Sequence, residues 1–301
     1  MGRLALLFPG QGSQFAGMGK VLCGASPAAR AVFEEADAVL GFALSRLCFE
    51  GPEEELKRTA NTQPAVLTHS IAAWRDLQAR FPERVERAAF AAGHSLGEYS
   101  AEVAAGALSF ADALRLVRQR GLFMQEAVPA GVGAMAAIVG LPPEEVEAAC
   151  KEAAQEEVVS PANFNSPEQT VIAGHAAAVA RACAACTARG AKRAIPLPVS
   201  APFHCSLMAP ARERLRPLLE EAPFADAGIP VVTNVDARSE SRGDLLRDAL
   251  LRQVDAPVRW VESVRLLARE GVDRALEIGP GNVLSGLVRR IEKGIKAENH
   301  G

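Results

Sequence analysis

The chain is 301 residues long, enough for one large domain or two smaller ones around a sizeable core. With 49% hydrophobic and 23% charged residues and a net charge of −3, it reads as a globular enzyme-sized protein without general affinity for nucleic acid or an anionic membrane. No apolar stretch approaches the ~18 residues needed to span a bilayer, and the apolar run at 3–8 is too short for a signal peptide, so a cytoplasmic location is expected.

Apolar runs alternate with helical periodicity, the pattern of an α/β fold with a mostly parallel sheet. In chain order, a strand is predicted at 3–8, helices at 27–40 and 64–80, a strand at 87–92, and helices at 97–105 and 110–127. The texture then changes. A strand at 132–141, a helix at 142–155, strands at 158–164 and 169–173, a helix at 176–189 and a strand at 191–197 spell βαββαβ, a ferredoxin-like order. A helix at 207–221, a strand at 230–234, helices at 243–253 and 259–270, a strand at 273–278 and a helix at 281–291 follow. Residues 293–301 are polar and expected to fray. A cleft between the inserted unit and the larger part is the natural ligand site.

Gly93-x-Ser95-x-Gly97 stands directly after the small apolar run ending at Ala92 and at the start of a predicted helix. Strand, sharp turn and helix would hold the Ser95 hydroxyl at the apex, with glycines where a side chain would strike backbone across the turn. The Leu96 amide and the helix N-terminus would then face the space above Ser95, where an oxyanion forms. The same spacing also occurs in ordinary flexible loops.

A serine nucleophile needs a base within hydrogen-bond reach. Of five histidines, His300 lies in the tail, His69 falls in the helix at 64–80, and His175 opens a helix of the inserted unit. His94 precedes the serine on the elbow and is expected to point away from it. Elimination leaves His204, in Ser200-Ala-Pro-Phe-His-Cys-Ser206, where the chain re-enters the larger part.

On the helix at 110–127, Ala113, Val117, Arg120 and Met124 share one stripe at about 100° per residue, which puts Arg120 on a buried face. A buried guanidinium needs an anion, either a distant Asp or Glu or a carboxylate on the substrate gripped by its planar fork. Gly10-Gln-Gly12 lacks the third glycine of a dinucleotide site, where Phe15 stands, and reads instead as a turn bringing backbone and Gln11 towards Ser95. The six cysteines are scattered. Cys183-Ala-Ala-Cys186 lies in a predicted helix with no second Cys or His pair at zinc-site spacing, so no metal is expected.

Five motifs now stand in one order: Phe8-Pro-Gly-Gln-Gly-Ser-Gln14, Gly93-His-Ser-Leu-Gly-Glu-Tyr99, Asn163-Phe-Asn-Ser-Pro167, Pro198-Val-Ser-Ala-Pro-Phe-His204 and Glu277-Ile-Gly-Pro-Gly281. Together they resemble the malonyl-CoA:acyl carrier protein transacylase family of bacterial fatty acid synthesis, over nearly the whole chain. The fold expected with it is α/β. A large α/β-hydrolase-like domain with a parallel sheet takes residues 1–128 and 198–301, and a small ferredoxin-like subdomain is inserted at 129–197.

The resemblance implies Ser95 as nucleophile and His204 as base, in agreement with the reading of the residues. It implies that Gln11 and the Leu96 amide form the oxyanion hole and that Arg120 binds the malonyl carboxylate. It also implies that Gln253, in Arg252-Gln-Val-Asp-Ala-Pro-Val258, orients His204 through a carbonyl. Phe203 resembles the residue that malonyl-using members place before this histidine, and it joins Met124 and Asn163 as an expected substrate-binding residue. The implied reaction moves malonyl from malonyl-CoA to the phosphopantetheine thiol of acyl carrier protein through a malonyl-serine. It needs no cofactor beyond the CoA substrate, and a monomer is the default expectation.

Acyl carrier proteins are acidic, so Lys192, Arg193, Arg289 and Arg290 are candidates for a docking rim as well as for plain solvated charges. Two other readings compete. An esterase on the same serine motif would place its histidine near the C-terminus with an HGGG-like loop, whereas only His300 lies beyond residue 211 and no such loop is present. A non-enzymatic carrier-docking module would leave Arg120 and the elbow without a purpose.

Overall fold

The computed structural model describes residues 2–199 and 201–301; Met1, and Ser200 of the fourth motif, lie outside the described residues. Strand β1 (Arg3–Phe8) buries every residue but Arg3, as a strand covered on both faces must, and its near-continuous apolar run follows from that. Helices α1 (Pro27–Leu40) and α2 (Thr59–Arg80), strand β2 (Ala88–Gly93), and helices α3 (Gly97–Ala104) and α4 (Phe110–Glu126) come next. The middle of the chain forms β3 (Gly133–Val139), α5 (Pro143–Ala154), β4 (Val159–Ser166), β5 (Gln169–His175), α6 (Ala176–Ala188) and β6 (Arg193–Pro196). The return adds α7 (Ala209–Glu221), β7 (Val231–Val232), β8 (Ser239–Glu240), α8 (Gly243–Gln253), α9 (Trp260–Arg269), β9 (Val272–Ile278), α10 (Val283–Ile291) and β10 (Lys296–His300).

Among the described residues these strands make two sheets. The larger has the order β10-β9-β1-β2-β7-β8 and is parallel except for the β7–β8 pair. The smaller is antiparallel, in the order β4-β5-β3-β6, with α5 and α6 packed on it over a core of its own that includes Ile138, Val146, Ile172 and Val179. The fold is therefore mixed α/β. The two sheets are tied where β4 meets the segment before α9: Phe164 N–H donates to the Val258 carbonyl at 2.9 Å, and Val258 N–H to the Ala162 carbonyl at 2.8 Å. Among the described residues no helix is long and apolar enough to cross a membrane.

Several expectations give way to the structure. The tail does not fray: Lys296–His300 pairs in parallel with β9, and the His300 carbonyl accepts from Gly279 N–H at 3.0 Å. Polar residues suit an edge strand, which is why hydropathy hides it. Helix α2 begins at Thr59, ahead of Pro64. A proline has no N–H to give the carbonyl four residues back, and Arg118 Nη1 takes that carbonyl, Ala60 O, at 2.6 Å. The strand expected at 230–234 shortens to Val231–Val232, because Asn234 turns its side chain to the serine turn. Three short helices, Lys20–Ala25, Leu44–Glu50 and Glu53–Lys57, are too brief to show a helical period in sequence.

The turn between β2 and α3 has no room for side chains. A Cβ on Gly93 would lie 1.9 Å from the Gly97 carbonyl carbon, and one on Gly97 would lie 2.0 Å from the Phe8 carbonyl oxygen. Backbone cannot yield there without moving the sheet. Gly93→Ala is expected to destabilise the fold by about 3 kcal/mol, read as a lowered thermal midpoint; an unchanged midpoint would mean the turn has slack.

Candidate active site

Ser95 sits between the end of β2 and the start of α3 with φ +52°, a left-handed conformation rare for a residue with a Cβ. Buried hydrogen bonds hold it there. Ser95 N–H donates to Asn234 Oδ1 and Asn234 Nδ2 to the Gly93 carbonyl, both at 2.6 Å, so one side chain staples the turn from both ends. Asn234 N–H in turn donates to Glu98 Oε2 at 2.8 Å.

His204 is buried, also at positive φ (+59°), with Nε2 2.7 Å from Ser95 Oγ. Its Nδ1 lies 3.0 Å from the Gln253 main-chain carbonyl. A carbonyl only accepts, so Nδ1 carries the proton and Nε2 is left to accept from the serine hydroxyl. Burial, then the positive Arg120, push this imidazole down from 6.5 to about 3. It is neutral at pH 7 and able to take a proton. The acid limb of kcat/KM for a reaction that uses His204 as its base is accordingly expected below about pH 5, whereas a limb near the ordinary histidine value would contradict the burial of His204.

Arg120 is 2% exposed, on the face of α4 that the helical phase assigns to the interior. Nη1 donates to Gln63 Oε1 at 2.8 Å, and Nη2 donates to Gln253 Oε1 at 2.9 Å and to Ser95 Oγ at 3.2 Å. Nε has no hydrogen-bond partner, and no carboxylate pairs with the guanidinium among the described residues. Of the two anions weighed for it, the distant Asp or Glu is therefore not in contact. Glu98 stands one residue removed: Gln253 Nε2 donates to Glu98 Oε2 at 2.9 Å and to the Ser95 carbonyl at 3.0 Å. Burial pushes Glu98 up to about 7 against the opposing pulls of Gln253, Asn234 and Arg120.

Ser95 and His204 open onto a cavity of about 120 Å³ that residues of both sheets' units line. Gln11, Leu96 and Arg120 reach it from the large-sheet side, and Met124, Asn163 and Phe203 complete the set expected from sequence. Gln253 lies behind, touching Arg120 with its side chain and His204 with its carbonyl. Gln11 Oε1 accepts from the Thr59 hydroxyl, while neither Gln11 N–H nor Leu96 N–H has an acceptor among the described residues.

His94 is itself among the residues that line the cavity. Its ring pairs through Nε2 with Asn165 Oδ1 on β4 at 2.8 Å and packs edge-on against Trp260, ring centroids 5.6 Å apart. Sequence reasoning also passed over Gln63, Glu98 and Asn234, and over Met135 and Leu197 from the inserted part of the chain. Gln63 stands beside a proline read as a helix start, and Glu98 lies inside a quoted motif; neither carried a signal of its partner.

The acyl transferase domain family matches residues 5–300 of the chain. The malonyl CoA-acyl carrier protein transacylase of Escherichia coli (strain K12) is 54% identical over 291 residues, 97% of this chain and 93% of that protein. The crystal structure of an acyl carrier protein S-malonyltransferase from Vibrio cholerae is 49% identical and matches with a TM-score of 0.95, covering 99% of this chain and 96% of that one. A type II PKS acyl-carrier protein in complex with its malonyl-transacylase gives a second solved relative, 51% identical, TM-score 0.95, covering 99% and 95% of the two chains.

Proposed function

Since the chain belongs to the acyl transferase domain family, we propose that it moves a malonyl group from malonyl-CoA to the phosphopantetheine thiol of acyl carrier protein. The observation that carries this reading is Arg120, a buried guanidinium 3.2 Å from Ser95 Oγ with no carboxylate partner among the described residues. A thioester bearing a carboxylate beside its carbonyl supplies the missing anion. The cavity volume of about 120 Å³ is in keeping with this. A protein cavity of about 150 Å³ holds one benzene ring, and malonyl has as many heavy atoms as benzene.

In this reading His204 Nε2 takes the Ser95 proton as Oγ attacks the thioester carbonyl, while the Gln253 carbonyl on Nδ1 holds the ring in the working tautomer. The tetrahedral oxyanion meets the Leu96 N–H and Gln11, each donor being worth about 3 kcal/mol in such sites. The C–S bond breaks, and the CoA thiolate takes the proton from His204 as it leaves. The carrier thiol then gives its proton to His204 and attacks the malonyl-serine ester; Ser95 Oγ leaves and recovers that proton from His204, which makes the kinetics ping-pong. Met124, Asn163 and Phe203 bound the acyl group, and the bulk of Phe203 suits an unbranched malonyl. The chemistry so written uses no metal or redox cofactor.

The same reading places the protein in the cytoplasm, as a monomer serving fatty acid chain extension. It takes residues 1–128 and 198–301 as α/β-hydrolase-like and 129–197 as a ferredoxin-like insertion. The strand order β4-β5-β3-β6 and the separate apolar core favour the latter. Measuring malonyl transfer to holo carrier protein against thioester hydrolysis tests the function. Transfer far above hydrolysis supports it, hydrolysis alone would point to an esterase, and neither would leave a docking module.

Docking of the acidic carrier is assigned to Lys192, Arg193, Arg289 and Arg290. Reversing these charges is expected to slow the carrier half-reaction about tenfold in single-turnover measurements while leaving acylation by malonyl-CoA unchanged. Equal loss in both half-reactions would remove them from the docking surface.

A further inference from the structure

Arg120 is engaged in a way that a ligand carboxylate has to undo. One N–H of Nη1 donates to Gln63 Oε1 at 2.8 Å. Nη2 serves two acceptors, Gln253 Oε1 at 2.9 Å and the nucleophile itself, Ser95 Oγ, at 3.2 Å. The buried Nε has no partner among the described residues, and an unpaired buried guanidinium N–H is costly unless something else accepts from it. A carboxylate meets a guanidinium best through two parallel N–H groups. Both parallel pairs of the guanidinium include Nη2, and the unpartnered Nε marks the edge it forms with Nη2 as the one left for the carboxylate.

We propose that the substrate carboxylate is also the activator of the nucleophile: by taking Nε and Nη2 it withdraws the Arg120 hydrogen bond from Ser95 Oγ, and only then is the serine released to attack. A serine oxygen that accepts from a cationic N–H has lone-pair density engaged that attack requires. The same event relieves the histidine, because the Arg120 charge is the largest cause after burial of its lowered basicity. Discrimination against acetyl thioesters then appears in the chemical step as well as in affinity, since an acetyl group leaves the serine restrained. This inference rests on the malonyl-transfer reading above.

The test supplies the carboxylate separately. Acetylation of Ser95 in the full chain by acetyl-CoA is followed by mass spectrometry in sodium formate and in sodium chloride of equal ionic strength. The formate concentration is set by its competition with malonyl-CoA. Formate is expected to raise the acetylation rate saturably, by about tenfold, as release of one such hydrogen bond allows. Arg120→Ala is expected not to respond. Formate that competes with malonyl-CoA yet leaves wild-type acetylation unchanged or slower overturns the proposal, and so does equal acceleration in Arg120→Ala. The wild-type titration decides even where the variant folds poorly. Failure of the underlying function reading is a separate result, namely no malonyl adduct on Ser95 with malonyl-CoA alone.

Discussion

Ser95→Ala is expected to abolish the acyl-enzyme and to lower malonyl transfer by about five to six orders of magnitude, the scale seen when a serine nucleophile is removed from a comparable assembly. The Leu96 and Gln11 donors and the binding of the thioester remain, so a residue of catalysis over the uncatalysed reaction persists. The fold should persist too, because alanine keeps the Ser95 N–H bond to Asn234 Oδ1 and bears the same φ of +52°. Intact-mass analysis and a transfer assay on the same preparation read both effects. A malonyl adduct retained by the variant would move the nucleophile elsewhere.

Arg120→Ala is expected to be the second largest effect, and a selective one. Malonyl and acetyl thioesters differ by a carboxylate, so discrimination has to come from a group that rewards that charge. A bidentate guanidinium in a desolvated pocket supplies about 3 kcal/mol, and malonyl-CoA turnover should fall more than a hundredfold. Acetyl-CoA use should be spared or rise, and hydrolysis should increase as water takes the vacated place. Arg120→Lys should rescue only in part, since an ammonium lacks the planar fork that now spans Gln63, Gln253 and Ser95. A fall of malonyl and acetyl transfer in equal proportion would make Arg120 a structural residue and remove the main physical support for a malonyl substrate.

The parts of this site that were legible in sequence are those set by local spacing. Glycines two residues either side of a position mark a tight turn, so Ser95 could be placed at its apex. Helical phase alone puts Arg120 inward, and His204 was reached by removing histidines with poorer positions. What was not legible depends on partners far away in the chain. Gln63 matters because α2 passes α4 with its amide at Arg120, and Asn234 because β7 stops short and lets its side chain reach the serine turn. Glu98 looks in sequence like a solvated residue near a helix start, yet it is fully buried and accepts from Asn234 and Gln253. The tail strand escaped for a similar reason: Lys296–His300 has no apolar period, and its pairing with β9 is a backbone property.

The central claim is that malonyl passes through Ser95, and it is tested most directly by exposing the protein to malonyl-CoA with no carrier protein present and mapping the adduct by peptide mass spectrometry. One malonyl group on the peptide containing Ser95, discharged onto the carrier thiol when holo carrier protein is added, is the expected result. Malonyl reaching the carrier while Ser95 stays unmodified, or an adduct fixed on another residue, would contradict it.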